Sequence, residues 1–168
     1  MNPILRMKPI LPLLALLLGW SPPASALSTD RQQPAYIEAD RAELDDRTGV
    51  SIYIGNVRIT QGSMRLTADR LTVHSEDGEI VKAHAVGSPA TFRQRPDGKD
   101  TDVEAEALEM DYLAREGRIV LMKKAEVRQD GDRFRSERIV YDLERDQVNA
   151  GGGGNDRVRI ILQPRQQP

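Results

Sequence analysis

Four times along its 168 residues the chain spells one pattern: an apolar residue, a spacer, a small residue, an acid, a spacer, then two apolar residues one spacer apart. The copies run from Ile37 to Leu44, Leu66 to Val73, Val103 to Met110 and Phe134 to Tyr141. Ile37 and Ala39 share one face of a strand, whereas Ala42 and Leu44 have the opposite parity. A single step along a strand turns every side chain over, so a regular strand cannot keep all four inside. A bulge or bend restores the inward direction and turns the strand through a corner. The small residues Ala39, Ala68, Ala105 and Ser136 suit the crowded inside of that corner, and the acids Asp40, Asp69, Glu106 and Glu137 then point outward. Arg41, Arg70 and Arg138 follow three of these acids, which reads as a ladder of solvated surface pairs. The second and fourth copies align without a gap at an offset of 68, and the first and third at 66. Such self-similarity marks stacked supersecondary units.

The rest of the chain is strand-like. Val50, Ile52 and Ile54 recur at period two, as do Val57 and Ile59, then Met64 and Leu66. Turn residues punctuate the runs, among them Thr48-Gly49, Gly55-Asn56, Asp77-Gly78, Asp97-Gly98 and Asp130-Gly131. The segment from Val103 to Glu116 has helix-forming composition, but it contains the third corner and is therefore expected as strand. The expected fold is all-β: a single twisted antiparallel sheet, bent into a V or a flattened roll with open ends. Its inside is expected to be lined by Ile37, Leu44, Ile52, Ile54, Val57, Ile59, Leu66, Leu71, Val73, Phe92, Val103, Met110, Tyr112, Leu121, Val127, Phe134, Ile139 and Tyr141. Composition alone leaves two readings of that lining, a dry core or a trough. The edges are expected at Tyr36 and Ile37 and at Val158, Ile160 and Leu162, either as docking strands or as blunted ends. The Gly151–Gly154 run reads as a hinge before the last strand, and Pro164 and Pro168 end the ladder.

The N-terminus carries Arg6 and Lys8, the apolar run Ile10 to Leu18, and the triplet Ala24-Ser25-Ala26. That is the layout of a cleaved signal peptide over residues 1–26, with a run too short to span a bilayer. The folded domain is then expected over 27–162, and 163–168 as a disordered tail. Loss of Arg6 and Lys8 makes a chain of net charge −2 more acidic still, which argues against a nucleic-acid partner. Zero cysteines remove thiol chemistry, iron–sulfur clusters and cysteine-ligated zinc. His74 and His84 do not have metal-pair spacing, and neither a nucleophile elbow nor a phosphate-binding loop is present. Neither catalysis, a metal nor a cofactor is expected.

Ile37-Glu38-Ala39-Asp40, Gly55-Asn56-Val57 through Gln61-Gly62, Ala68-Asp69 and Gly87 with Pro89-Ala90-Thr91-Phe92 stand in the order and spacing of the OstA-like family. The resemblance covers nearly all of residues 34–162. The chain departs from the pattern at Ala107, where its other corners carry Arg, and in its short tail. The resemblance implies a periplasmic β-jellyroll that holds lipopolysaccharide by its lipid A acyl chains. It also implies an inner-membrane-anchored jellyroll partner at one edge, the periplasmic jellyroll of an outer-membrane translocon at the other, and head-to-tail self-association. Phe92 and Tyr112 would face the groove. The protein's acidity suits a grip on the chains that leaves an anionic headgroup in solvent. The alternative is an exported structural or adhesive β-solenoid with a closed core and no lipid ligand.

Overall fold

A computed structural model describes residues 29–96, 98–151 and 157–164. The expected leader at 1–26 and most of the Gly151–Gly154 run lie outside these residues, and the expected tail is described only through Pro164. Ten strands follow in order: β1 (Tyr36–Glu38), β2 (Arg41–Asp45), β3 (Val50–Gln61), β4 (Met64–Glu76), β5 (Glu79–Gln94), β6 (Val103–Leu113), β7 (Arg118–Gln129), β8 (Asp132–Asp142), β9 (Gln147–Ala150) and β10 (Arg159–Ile161). They form one antiparallel sheet in the order β1, β3, β4, β5, β6, β7, β8, β10, with β2 also on β3 and β9 also on β8. The helix-like composition of Val103 to Glu116 yields to the sheet: β6 takes all but the last three residues, which close a single 3-10 turn. Strand pairing on both sides of β6 overrides the local preference.

Five register shifts fall on one line across the sheet, between Ile54 and Val57, Thr67 and Arg70, Val86 and Ala90, Glu106 and Glu109, and Met122 and Ala125, while one more, between His74 and Ser75, lies near the end of β4. That line is the bend. It divides the sheet into an arm ending in β1 and β10 and an arm ending in β2 and β9. Strands cross it in two ways. In β4 and β8 the buried parity flips, from Ala68 to Leu71 and from Ser136 to Ile139, as the repeat requires. In β3 and β7 an extra residue is inserted, with left-handed backbone at Gly55 and Asn56 and at Lys123 and Lys124. Two consecutive lysines at positive φ hold a conformation that costs roughly 1–2 kcal/mol each, which the bulged ladder on either side must offset.

The third corner differs from the expectation. Ala105 and Ala107 are both buried, Leu108 is half-exposed, and parity flips between Ala107 and Met110. The departure at Ala107 explains this: with alanine where the other corners carry arginine, that position can turn inward. The Arg–acid ladder also takes another form, since Arg41 pairs with Glu43 while Asp40 accepts a hydrogen bond from Asn56 across the corner.

Inside the bend the paired residues are small: Val57 opposite Ala68, Ala90 opposite Ala107, Ala125 opposite Ser136. All six are buried, and they let the two arms fold closely over one another. Ala107→Leu forces three extra carbons into this line. It is expected to lower unfolding free energy in urea by about 1–3 kcal/mol, while Leu108→Ala, at the half-exposed neighbour, costs clearly less.

Candidate functional site

Directly paired residues of antiparallel strands share a face, so register places every inward candidate. One inner rung of the β1/β10 arm runs Ile37, Ile59, Leu66, Phe92, Ala105, Val127, Phe134, Ile160, apolar at all eight strands. Two rungs line the other arm. The first is Leu44, Ser51, Val73, Ala83, Tyr112, Ile119, Tyr141 and Val148; the second is Ala42, Tyr53, Leu71, Ala85, Met110, Leu121, Ile139 and Ala150. Val57 lies on the inner line of the bend. Thus sixteen of the eighteen expected lining residues, all but Ile52 and Ile54, lie on the inner face or its edges. Leu44 has inward parity but is 65% exposed, because β2 is an edge strand with no neighbour on its far side.

Ile52 and Ile54 are corrected: they sit on outer rungs, opposite Glu43 and Thr72 and opposite Arg41 and Arg70. Inward places at these levels belong to Ser51 and Tyr53. The insertion at Gly55 and Asn56 lets β3 turn the corner without changing parity, so the inward series from Val57 continues through Tyr53 rather than through the more apolar neighbours. The repeat held this signal, because the offset of 68 sets Tyr53 against Leu121 and Ser51 against Ile119.

Between the arms lies an apolar cleft of about 50 Å³. Ile37, Ile59, Met64, Leu66 and Phe92 line it from one arm, and Val73, Ala83, Met110, Tyr112 and Ile119 from the other. It has space for only a few water molecules. A larger recess of about 570 Å³ lies on the outer face, but Glu106, Lys124, Glu126, Arg135, Glu137 and Arg159 line it with both signs of charge and little apolar surface. Large exposed apolar residues concentrate at the two ends of the sheet: Tyr36 and Leu44 at one, and Val158, Ile160, Ile161 and Leu162 at the other. The expected edge residues all fall there; Ile160 lies within β10, and Val158 and Leu162 flank it.

The sheet's outer face carries ion pairs. His84 meets Asp111 at 2.6 Å, opposite it on β6. Glu126, almost fully covered, is held by Arg128 at 2.7 Å, Arg133 at 3.1 Å and Arg135. Burial acts to raise the Glu126 carboxyl, but the hydrogen bonds of Arg135 and Arg128 outweigh it and hold it below its ordinary range. Among the described residues no group of three or more histidines and acids is arranged to hold a metal.

The family described as LptA/(LptD N-terminal domain) LPS transport protein matches residues 36–147, from the start of β1 to the start of β9. The chain belongs to that family. Among its relatives, the lipopolysaccharide export system protein LptH of Pseudomonas aeruginosa is 40% identical over 151 residues, covering 84% of this chain and 86% of that protein. The lipopolysaccharide export system protein LptA of Escherichia coli K12 is 35% identical over 153 residues, covering 89% and 82%. The crystal structure of LptH, described as the LptA homologous periplasmic component of the lipopolysaccharide transport device of Pseudomonas aeruginosa, superposes with a TM-score of 0.75 at 37% identity. It covers 81% of this chain and 99% of that one. The family's bent antiparallel sheet is the fold expected from the corners.

The outer charges tie this fold to pH. Asp30, Asp102, Glu126, Asp142 and Asp146 all have carboxyls held below their ordinary values of 3.8 for Asp and 4.5 for Glu. A depressed folded value adds stability that is complete above the ordinary value and is lost as pH falls through the depressed one. The melting temperature is therefore expected to hold above about pH 5 and to fall steadily below pH 4.5. Glu126→Gln is expected to flatten that fall in a thermal scan series. An unchanged acid limb would remove the arginine cluster from the account.

Proposed function

We propose that this protein carries lipopolysaccharide through the periplasm, holding its acyl chains between the two arms and handing them to neighbours joined at its two edges. The observation that carries the reading is the continuity of the apolar rungs, which reach both open ends of the sheet. Each buried methylene contributes roughly 0.8 kcal/mol, so a dozen-carbon chain costs about 10 kcal/mol to expose to water. A lipid with several such chains crosses an aqueous compartment only on a continuous apolar path. The role is one of binding and transfer and needs no catalytic group. The cleft of about 50 Å³ is far too small for a chain, so loading swings the free rims of the arms apart about the line of small residues. A closed inner layer also suits a structural solenoid, but membership of a family described by lipopolysaccharide transport weighs against that reading.

The proposed groove lining comprises the sixteen inward candidates with Tyr53, Ala83 and Ile119 added. Phe92→Asp and Tyr112→Asp place an unpaired charge among apolar neighbours. Each is expected to cut capture of purified lipopolysaccharide by the mature protein at least tenfold, whereas Ile54→Asp, on the outer face, leaves capture near the wild-type level. Equal loss in all three variants would show that folding, and not a groove, is being measured.

The same register extends to the ends. β9 and β10 close one end of the two arms and β2 and β1 the other, and a second copy placed head to tail continues the antiparallel order. With the rungs kept unbroken, Ile160 meets Ile37 of the next copy, Val148 covers the exposed Leu44, and Arg159 faces Glu38. Related jellyrolls of an inner-membrane complex and an outer-membrane translocon would dock on the same edges by strand addition. Glu38→Arg and Arg159→Glu are each expected to weaken self-association severalfold in sedimentation, and mixing the two variants makes both heterotypic junctions complementary and restores association. Association unaffected by either substitution would shift the register.

A further inference from the structure

The two arms have free rims opposite the bend, each made of hairpin turns. The apolar cleft opens between these rims only over the first half of the sheet; its walls come from β1, β3 to β6 and the start of β7, with no contribution from β8, β9 or β10. Where it stops, the rims are tied. Asp146, in the turn between β8 and β9 on one rim, is held in left-handed backbone. Its Oδ1 accepts hydrogen bonds from the Tyr141 hydroxyl at 2.7 Å and from Gln129 Nε2 at 2.5 Å. Its Oδ2 lies 3.1 Å from Lys99 Nζ. Tyr141 belongs to the same arm, but Gln129 ends β7 on the opposite rim and Lys99 stands in the loop between β5 and β6 beside it. Lys99 also reaches Asp130 at 3.6 Å, and Asp130 in turn takes the Thr101 hydroxyl.

Other polar bonds at the turns run within one rim. Arg115 pairs with Glu76 on one. Arg93 and Arg95 pair with Asp102 on the other, and Asp30 binds Ser63 and Gln94 there. The contacts of Asp146 with Gln129 and Lys99 cross from rim to rim.

We propose that Asp146 is a clasp that sets where acyl chains lodge: closed, it confines them to the first half of the groove, and its release from Lys99 and Gln129 opens the path beneath Tyr141 and Phe134 to the second end. The inference rests on the groove reading above. Phe134 shares a polar recess of about 230 Å³ with Lys99, Gln129, Asp130, Asp132 and Asp146, so it reports on the space at the clasp. Phe92 lines the cleft in the first half and reports on the groove itself.

The test places a photo-crosslinking phenylalanine analogue at position 92 or 134 of the mature protein and offers purified rough lipopolysaccharide. Each position is compared in the wild-type background, in Asp146→Asn and in Lys99→Met. Asparagine tolerates the left-handed turn and still accepts from Tyr141, but it loses the charge that holds Lys99. Lys99→Met releases the clasp from the other rim and leaves Asp146 in place. The expected result is strong capture at 92 in all three backgrounds, with capture at 134 weak in wild type and raised at least fivefold by both substitutions. Equal capture at 134 in all backgrounds overturns the clasp while leaving the groove standing. A rise in Asp146→Asn alone also overturns it, since it would trace to the turn and not to the tie between rims. Absence of capture at both positions overturns the groove reading and the clasp with it.

Discussion

Side chains on a strand alternate, and a sheet that bends must reconcile that alternation with a single apolar inside. Every other property of this chain follows from how it meets the constraint. β4, β6 and β8 flip parity at the bend, while β3 and β7 insert a residue in left-handed backbone. Both devices bring Val57, Ala68, Ala90, Ala107, Ala125 and Ser136 to one inner line. Because that line is small, the arms approach closely there, and because the rungs beyond it are large, the space between arms fills with side chains. The bend thus produces at once a stable inner layer and a hinge line about which its two arms can part.

How much of this the sequence revealed depends on which device each strand used. A parity flip is visible, since it breaks period two at a fixed place, and it located the corners of β4 and β8 together with the inward Leu66, Val73, Ile139 and Tyr141. An insertion is nearly invisible, because the inward series simply continues through a residue of unremarkable composition. That is why Ile52 and Ile54 read as inward while Ser51 and Tyr53 hold the inward places. In β6 a run of alternating acids and apolar residues gave two usable inward positions side by side, and Ala107 took the one that Leu108 was expected to fill. The rim contacts of Asp146 left no trace at all, since they join turns from three separate hairpins and depend on how far the arms close.

The ends obey a different logic. A sheet edge with unpaired backbone groups is a hazard that proteins blunt with charges, prolines or short strands. Here the edge strands are short, three to five residues. They nevertheless expose Tyr36, Leu44, Ile160 and Ile161 instead of a fence of lysines. Short strands limit the area any one junction buries. In the head-to-tail order proposed above, the junction is then weak by itself and gains selectivity from the side chains that must align, above all the rung through Ile37 and Ile160.

The two ends are also not equivalent, and this bears on direction. At the β1 and β2 end the inner face opens into the cleft, and Asp30 bonds to Ser63 and Gln94 along its own rim. At the β9 and β10 end one carboxylate ties rim to rim above a buried tyrosine hydroxyl. Burial and the adjoining Asp146 carboxylate both push the Tyr141 phenol upward, so that hydroxyl stays protonated and keeps donating at any physiological pH. Burial works against the charge on Asp146, yet the Tyr141 and Lys99 hydrogen bonds prevail and keep it ionised. The tie is therefore not released by mild acidity. Breaking it takes mechanical separation of the rims, which is what the entry of bulky chains from the open half would impose. In the proposed groove, loose at one end and tied at the other, filling from the tied end meets the greater resistance, so the fold contains an asymmetry that a symmetric trough of the same residues would lack.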